Sequence, residues 1–157
     1  MTNYFDSNIA LTLHDEYVTK SNKEIALLGF KDRNKLESVL GLMQVDDYYP
    51  YFEDKIAYLV YATAQNHPFR DGNKRGAIIL GAYFLTINGY SQDTIDNFIK
   101  EMESIVLLTV IGQLSREDLG ELIGMIINNL LPYPEHFQFK LLAGMEFYQT
   151  NFSHLEG

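Results

Sequence analysis

Apolar positions recur along most of this chain at three- and four-residue spacing, the mark of helices that bury one face. Residues 9–18, from Ile9 to Val18, carry them at mixed spacing and predict a first helix. Over Asp32–Leu40, Leu36, Val39 and Leu40 share one helical face, and Gly41 is placed to end that helix. Residues 42–52 are aromatic-rich and contain Pro50, which suits a loop or short hairpin better than a helix. From Glu53 to Asn66, Ile56, Ala57, Leu59, Val60, Ala62 and Ala64 predict a largely buried helix, stopped where Pro68 biases His67 out of helical geometry. A second buried helix runs from about Gly72 to Ile87, with Asn88-Gly89 as its stop. Ser91 reads as an N-cap for a helix carrying Ile95, Phe98, Ile99, Met102, Ile105 and Val106 to about Gln113. Ser115 repeats that signal before Leu119, Leu122, Ile123, Ile126, Ile127 and Leu130, and Pro132 and Pro134 end the run. The tail from His136 is too apolar for a solvated extension, so it packs on the domain or meets a partner. The expectation is an all-α, single-domain bundle over residues 1–131, with 132–157 as an aromatic-rich extension.

Composition narrows the partners. A formal charge of −9 and a pI near 4.8 argue against non-specific nucleic-acid binding, which needs basic surface. Without cysteine there is no disulfide framework, thiol nucleophile or cysteine-ligated zinc, and a cytosolic (cytoplasmic) protein fits. The start, Met1-Thr2-Asn3-Tyr4-Phe5-Asp6, lacks the pattern of a signal peptide, and no membrane span is expected, because Ile105–Ile111, the longest apolar run, is too short.

The basic exception is local. Arg70, Lys74 and Arg75 are a quarter of the 12 lysines and arginines and fall within His67-Pro68-Phe69-Arg70-Asp71-Gly72-Asn73-Lys74-Arg75, just before a buried helix. A helix N-terminus offers unpaired N–H groups and a partial positive charge, so an anion gains there. Gly72 lets the backbone come close, and Lys74 and Arg75 add charge suited to phosphate. Asp71 would repel a phosphate unless a divalent cation lay between them, and Mg²⁺ commonly joins one or two carboxylates to substrate phosphates. His67 can accept a proton near neutral pH and is the candidate general base.

The nine residues resemble the signature of the Fic/Doc (Fido) family, H-x-F-x-[DE]-[GA]-N-x-R, at all six constrained positions. Leu13-His14-Asp15, the Gly29–Leu40 segment and Tyr48-Tyr49 also look like the Doc (death-on-curing) branch, so the likeness covers roughly residues 8–130. It implies a Fic/Doc-like catalytic domain of six or seven helices, with the loop joining two central ones. It also implies a flap over the site, placed within Leu42–Pro50, that holds a target backbone by strand addition. By the same likeness His67 would deprotonate a target hydroxyl and Asp71 would bind Mg²⁺. Gly72, Asn73, Lys74 and Arg75 would hold the phosphates of ATP, and Phe69 would anchor the loop.

Departures from the pattern set the subclass. Adenylylating Fic proteins usually carry a second glycine after the asparagine and a second arginine three residues beyond the first; here those positions are Lys74 and Ile78. In the Doc branch a lysine there goes with a reversed nucleotide, so phosphorylation of a protein hydroxyl is the first expectation and AMP transfer the second. Gly72 pulls toward AMP transfer, since the Doc pattern has alanine there. Ser153-His154-Leu155-Glu156-Gly157 resembles a self-inhibitory [ST]-x-x-x-E-[GN] helix but has Phe152 where a serine or threonine is required. A toxin of this branch implies a separate antitoxin. A reading of another class is a catalytically silent Fic-like fold kept as an interaction module. Arg70 reads as solvated, and His14, His136 and His154, lacking partners at metal-ligand spacing, read as structural or surface residues.

Overall fold

A computed structural model describes residues 1–21 and 27–152. Seven helices follow in order: α1 (Ser7–Ser21), α2 (Arg33–Leu42), α3 (Phe52–Asn66), α4 (Asn73–Ile87), α5 (Gln92–Val110), α6 (Arg116–Ile127) and α7 (Glu135–Asn151). The all-α expectation holds, and among the described residues no strand forms; the only bridge joins Phe30 and Phe69. No helix there is long and apolar enough to cross a membrane.

The central pair is α3 and α4. They pack on each other more extensively than any other two helices, α1 and α5 cover α4, and α6 covers α3. Small residues let the layers close: a Cβ at Gly81 would lie 2.7 Å from Phe98 Cζ and 3.0 Å from Val60 Cγ2, so glycine is needed where α3 and α5 meet α4. Leu59, Val60, Leu80, Phe84, Phe98 and Leu122 lie in the fully buried core between these helices.

The expected caps form. Ser91 Oγ accepts from Thr94 N–H at 3.2 Å, and Ser115 Oγ accepts from Asp118 N–H at 3.0 Å while Asp118 accepts from Ser115 N–H. Three helix ends differ from expectation. Gly41 does not stop α2, which runs on to Leu42; helical φ costs glycine nothing steric, and the stop comes only with the turns that follow. α5 ends at Val110 rather than near Gln113, because Gly112 turns the chain at φ 84°. α6 ends before either proline, at Ile127, where Asn129 takes φ 57° and leaves Leu130 63% exposed and outside the apolar stripe.

Residues 43–51 form turns, not a hairpin. They are pinned from beneath by Lys55, whose buried ammonium donates to Met43 C=O at 3.1 Å and to Asp46 Oδ1 at 2.7 Å. Burial works against that charge, yet the bonds to Asp46 and Tyr4 outweigh it and hold the lysine pKa above its ordinary value. The segment sits at the N-terminal end of α3, whereas His67 caps the C-terminal end. Fifteen helical residues put about 22 Å between those ends.

The tail packs back on the body. Phe137, Gly144 and Tyr148 are buried against the rest of the fold, with α5 as the main neighbour of α7, while Phe139, Leu142 and Phe147 face outward.

Candidate active site

The loop from His67 to Gly72 joins the C-terminus of α3 to the N-terminus of α4. His67 leaves α3 in the left-handed region (φ 51°, ψ 58°). The expected bias of Pro68 against helical geometry at His67 is met by an αL turn, which histidine tolerates better than most residues. The imidazole is exposed, and His67 lines one cavity with the first residues of α4.

Three peptides of the loop, Pro68–Phe69, Phe69–Arg70 and Asp71–Gly72, are held by hydrogen bonds. Pro68 C=O accepts from Lys31 and Asp32 N–H (2.8 and 3.0 Å), and Arg70 N–H donates to Gly29 C=O at 3.0 Å. Asn73 clamps the turn from inside, Oδ1 accepting from Phe69 N–H at 2.9 Å and Nδ2 donating to Phe69 C=O at 3.1 Å. Its side-chain amide is thereby engaged, so what Asn73 offers an anion is its backbone N–H. Phe69 is fully buried between His14 (ring centroids 3.8 Å apart, nearly parallel) and Phe30 (5.3 Å). Gly72 caps α4 with φ 67°, its carbonyl accepting from Gly76 N–H at 2.8 Å, the first bond of the helix. The N–H groups of Asn73, Lys74 and Arg75 precede that bond and have no intrahelical acceptor.

The structure brings together six of the nine loop residues. His67, Asp71, Gly72, Asn73, Lys74 and Arg75, with Val110 from α5, line one open cavity of about 360 Å³. Arg70 is exposed and does not line it. Ile78 is buried in the core and contributes nothing to the cavity. A larger hollow of about 780 Å³ lies between α3 and α6, bounded by Tyr48, Tyr58, Glu53 and Arg116, but it contains none of the loop residues. Local chemistry favours the smaller cavity, since only there do a helix N-terminus, two cations and a proton acceptor converge. Tyr48, Tyr49 and Pro50 border the larger hollow, which is where the segment expected as a flap lies.

Asp71 is exposed at the cavity, one carboxylate oxygen accepting from Gly72 N–H at 2.8 Å. Among the described residues no three His, Cys, Asp or Glu side chains form a metal-holding group. Asp71 is the cavity's one lining carboxylate, and it could hold a divalent cation brought in on phosphates.

Several contributors were not singled out from the sequence. His14 is completely buried beneath the loop, its Nε2 2.8 Å from Asp71 C=O and its Nδ1 2.8 Å from Asp15 Oδ1. A structural role for it was expected, a place under this loop was not; the Leu13-His14-Asp15 likeness was the available signal. Tyr17 lies near both Glu103 and Arg75: burial first, and then the Glu103 carboxylate, push the Tyr17 phenol pKa up, and the Arg75 charge pulls it partly back. No spacing rule could have linked them, since they sit on three different helices. His136 is exposed on α7, and His154 with the rest of Ser153–Gly157 lies outside the described residues.

Gly72 is set by shape. A Cβ there would lie 2.8 Å from Val18 Cγ2 and 3.4 Å from His14 Nε2. Gly72→Ala should therefore cost about 1–2 kcal/mol from the left-handed backbone alone, with the Val18 contact adding to it. Thermal or urea unfolding reads this, and Val18→Ala in the same chain should return the contact part. A Gly72→Ala protein as stable as the parent would contradict this account of the loop.

An all-helical domain whose two central helices are joined by a clamped, anion-attracting turn with a histidine and an aspartate at its rim is the class this geometry defines. The sequence model of the Fic/DOC family matches residues 4–85, and the chain belongs to that family. It is similar to the protein kinase doc of Escherichia phage P1, with 34% identity over 83 residues. That match takes in 50% of this chain and 63% of the phage protein, so the chain spans less than two thirds of that relative's length.

Proposed function

We propose that this protein is a transferase that moves the γ-phosphoryl group of ATP to a hydroxyl side chain of a target protein. The observation that carries the proposal is the convergence of exposed His67, Asp71, the free N–H groups of α4, Lys74 and Arg75 on one cavity. In the step, a target oxygen bonds to the γ-phosphorus as the bond to the β–γ bridging oxygen breaks. ADP leaves, and the hydroxyl proton passes to the His67 imidazole. Positioning and charge stabilisation supply most of the catalysis in such transfers. The N–H groups of Asn73, Lys74 and Arg75, with the Lys74 ammonium and Arg75 guanidinium, hold and neutralise phosphate oxygens. Mg²⁺ accompanying the nucleotide would bind at Asp71 and offset further phosphate charge.

Lys74 supports phosphate over AMP transfer, because its side chain fills room that a glycine would leave for one of the nucleotide's phosphates. The similarity to a protein kinase points the same way. AMP transfer, in which the α-phosphorus is attacked and pyrophosphate leaves, is the second reading; Gly72, where the Doc pattern has alanine, favours it. A toxin restrained by a separate antitoxin laid across this cavity is the matching cellular role. Incubation with lysate and ATP labelled at either the α- or the γ-phosphate separates the chemistries. Protein-bound γ-label without α-label is expected, and retention of the α-label alone would end the phosphotransfer reading.

A further inference from the structure

Against the loop lies a buried side chain, His14, that does not line the cavity. We propose that His14 is a positioning residue of this site, fixing the Asp71–Gly72 peptide and through it the direction of the Asp71 carboxylate. The proposal rests on the reading of the cavity given above.

Four observations meet at His14. The side chain is 0% exposed, so it acts only through protein neighbours. Its ring lies flat on Phe69, with 5° between the planes, which fixes its tilt. Its Nε2 is 2.8 Å from the Asp71 carbonyl oxygen, which can only accept, so this nitrogen donates. Its Nδ1 is 2.8 Å from Asp15 Oδ1, which sets the ring's rotation.

These contacts close a circuit. Asp15 Oδ1 also accepts from Gly29 N–H at 3.1 Å, and Gly29 C=O accepts from Arg70 N–H at 3.0 Å. The peptides on both sides of Arg70-Asp71 are thus tied, through His14, Asp15 and Gly29, to one point on α1. The two glycines beneath the loop leave the ring its space: a Cβ at Gly72 would be 3.4 Å from His14 Nε2, and one at Gly76 would be 3.1 Å from His14 Cδ2. Asp71 directs one carboxylate oxygen at the Gly72 N–H, within the peptide whose carbonyl His14 grips. If that peptide rotates, the carboxylate and the first N–H groups of α4 turn with it.

A core histidine that merely filled space would be replaceable by a ring of similar size. His14→Phe keeps an aromatic face on Phe69 and removes both nitrogens; His14→Gln keeps a donor that reaches the Asp71 carbonyl and loses the ring. The first measurement is amide hydrogen exchange in the full chain. Arg70 and Gly72 amides should exchange at least tenfold faster in His14→Phe, with α5 and α6 amides unchanged, and slow again in His14→Gln. The second is transfer of γ-label from ATP. His14→Phe should lower kcat at least tenfold and raise the Mg²⁺ concentration for half-maximal rate, with KM for ATP within twofold, and His14→Gln should recover part of kcat.

Unchanged exchange at Arg70 and Gly72 in His14→Phe overturns the positioning role, whatever the chemistry. So does a global rise in exchange shared by both variants, which would mark a residue that only stabilises the fold. Wild-type kcat in His14→Phe would overturn it as well. If the unsubstituted protein transfers no label, the reading of the cavity fails, and the exchange result still decides whether His14 sets the loop.

Discussion

His67→Ala should lower the rate of transfer to a protein hydroxyl by about 10²–10⁴-fold, the usual contribution of a positioned general base. The imidazole is exposed at the rim of the cavity and makes no contact the fold depends on, so the chain should still fold. The substitution is not conformationally neutral, however. His67 sits at φ 51°, and alanine in that region carries strain of about 1–3 kcal/mol. His67→Gly separates the two effects, because glycine adopts this backbone freely. Both variants should be equally inactive, and the glycine variant should melt higher than the alanine one. Label transfer within threefold of the parent in both would remove His67 from the chemistry. In cells, a growth arrest caused by the protein should vanish with His67→Gly; an arrest that persists would favour the silent interaction module.

Phe69→Ala should have the largest effect on stability, about 3–5 kcal/mol, the range for emptying an aromatic site in a core. A domain of this size is stable by about 5–15 kcal/mol, so about a fifth or more of the total is at stake. Phe69 is fully buried, stacked on His14 and Phe30, and its edge would lie 3.0 Å from a Cβ at Gly76. Three chain segments therefore meet on one ring. The urea midpoint should drop while the slope with denaturant stays the same. Activity should fall with it even under folding conditions, since the Asn73 clamp closes on the peptide groups of Phe69 itself. A loss below about 1 kcal/mol would mean that the site collapses around the missing ring.

These outcomes bear on how much of the molecule can be read in one dimension. Six helices and the tail were legible because the information is local: an apolar stripe, a serine cap, a proline stop. The loop was legible for the same reason, as nine consecutive residues carry its charge, its glycine and its base. Helix ends were less so. At Gly41 the residue permits a stop without requiring one, and at Asn129 the stop came from a left-handed asparagine instead of the prolines beyond it.

The sequence alone determined that a helical bundle presents a cation-rich turn with His67 and Asp71 at a helix start. The turn's chemistry is a property of neighbours in the chain. Tertiary structure decided how that turn is held and aimed. Asp71 and the histidine beneath it are 57 residues apart, and Phe69 finds its partners on α1 and just before α2. It also decided that residues 43–51 gather at the far end of α3, because Lys55 and the length of that helix fix them there. Periodicity states which face of a helix is buried. Only packing states which residue of another helix that face will meet.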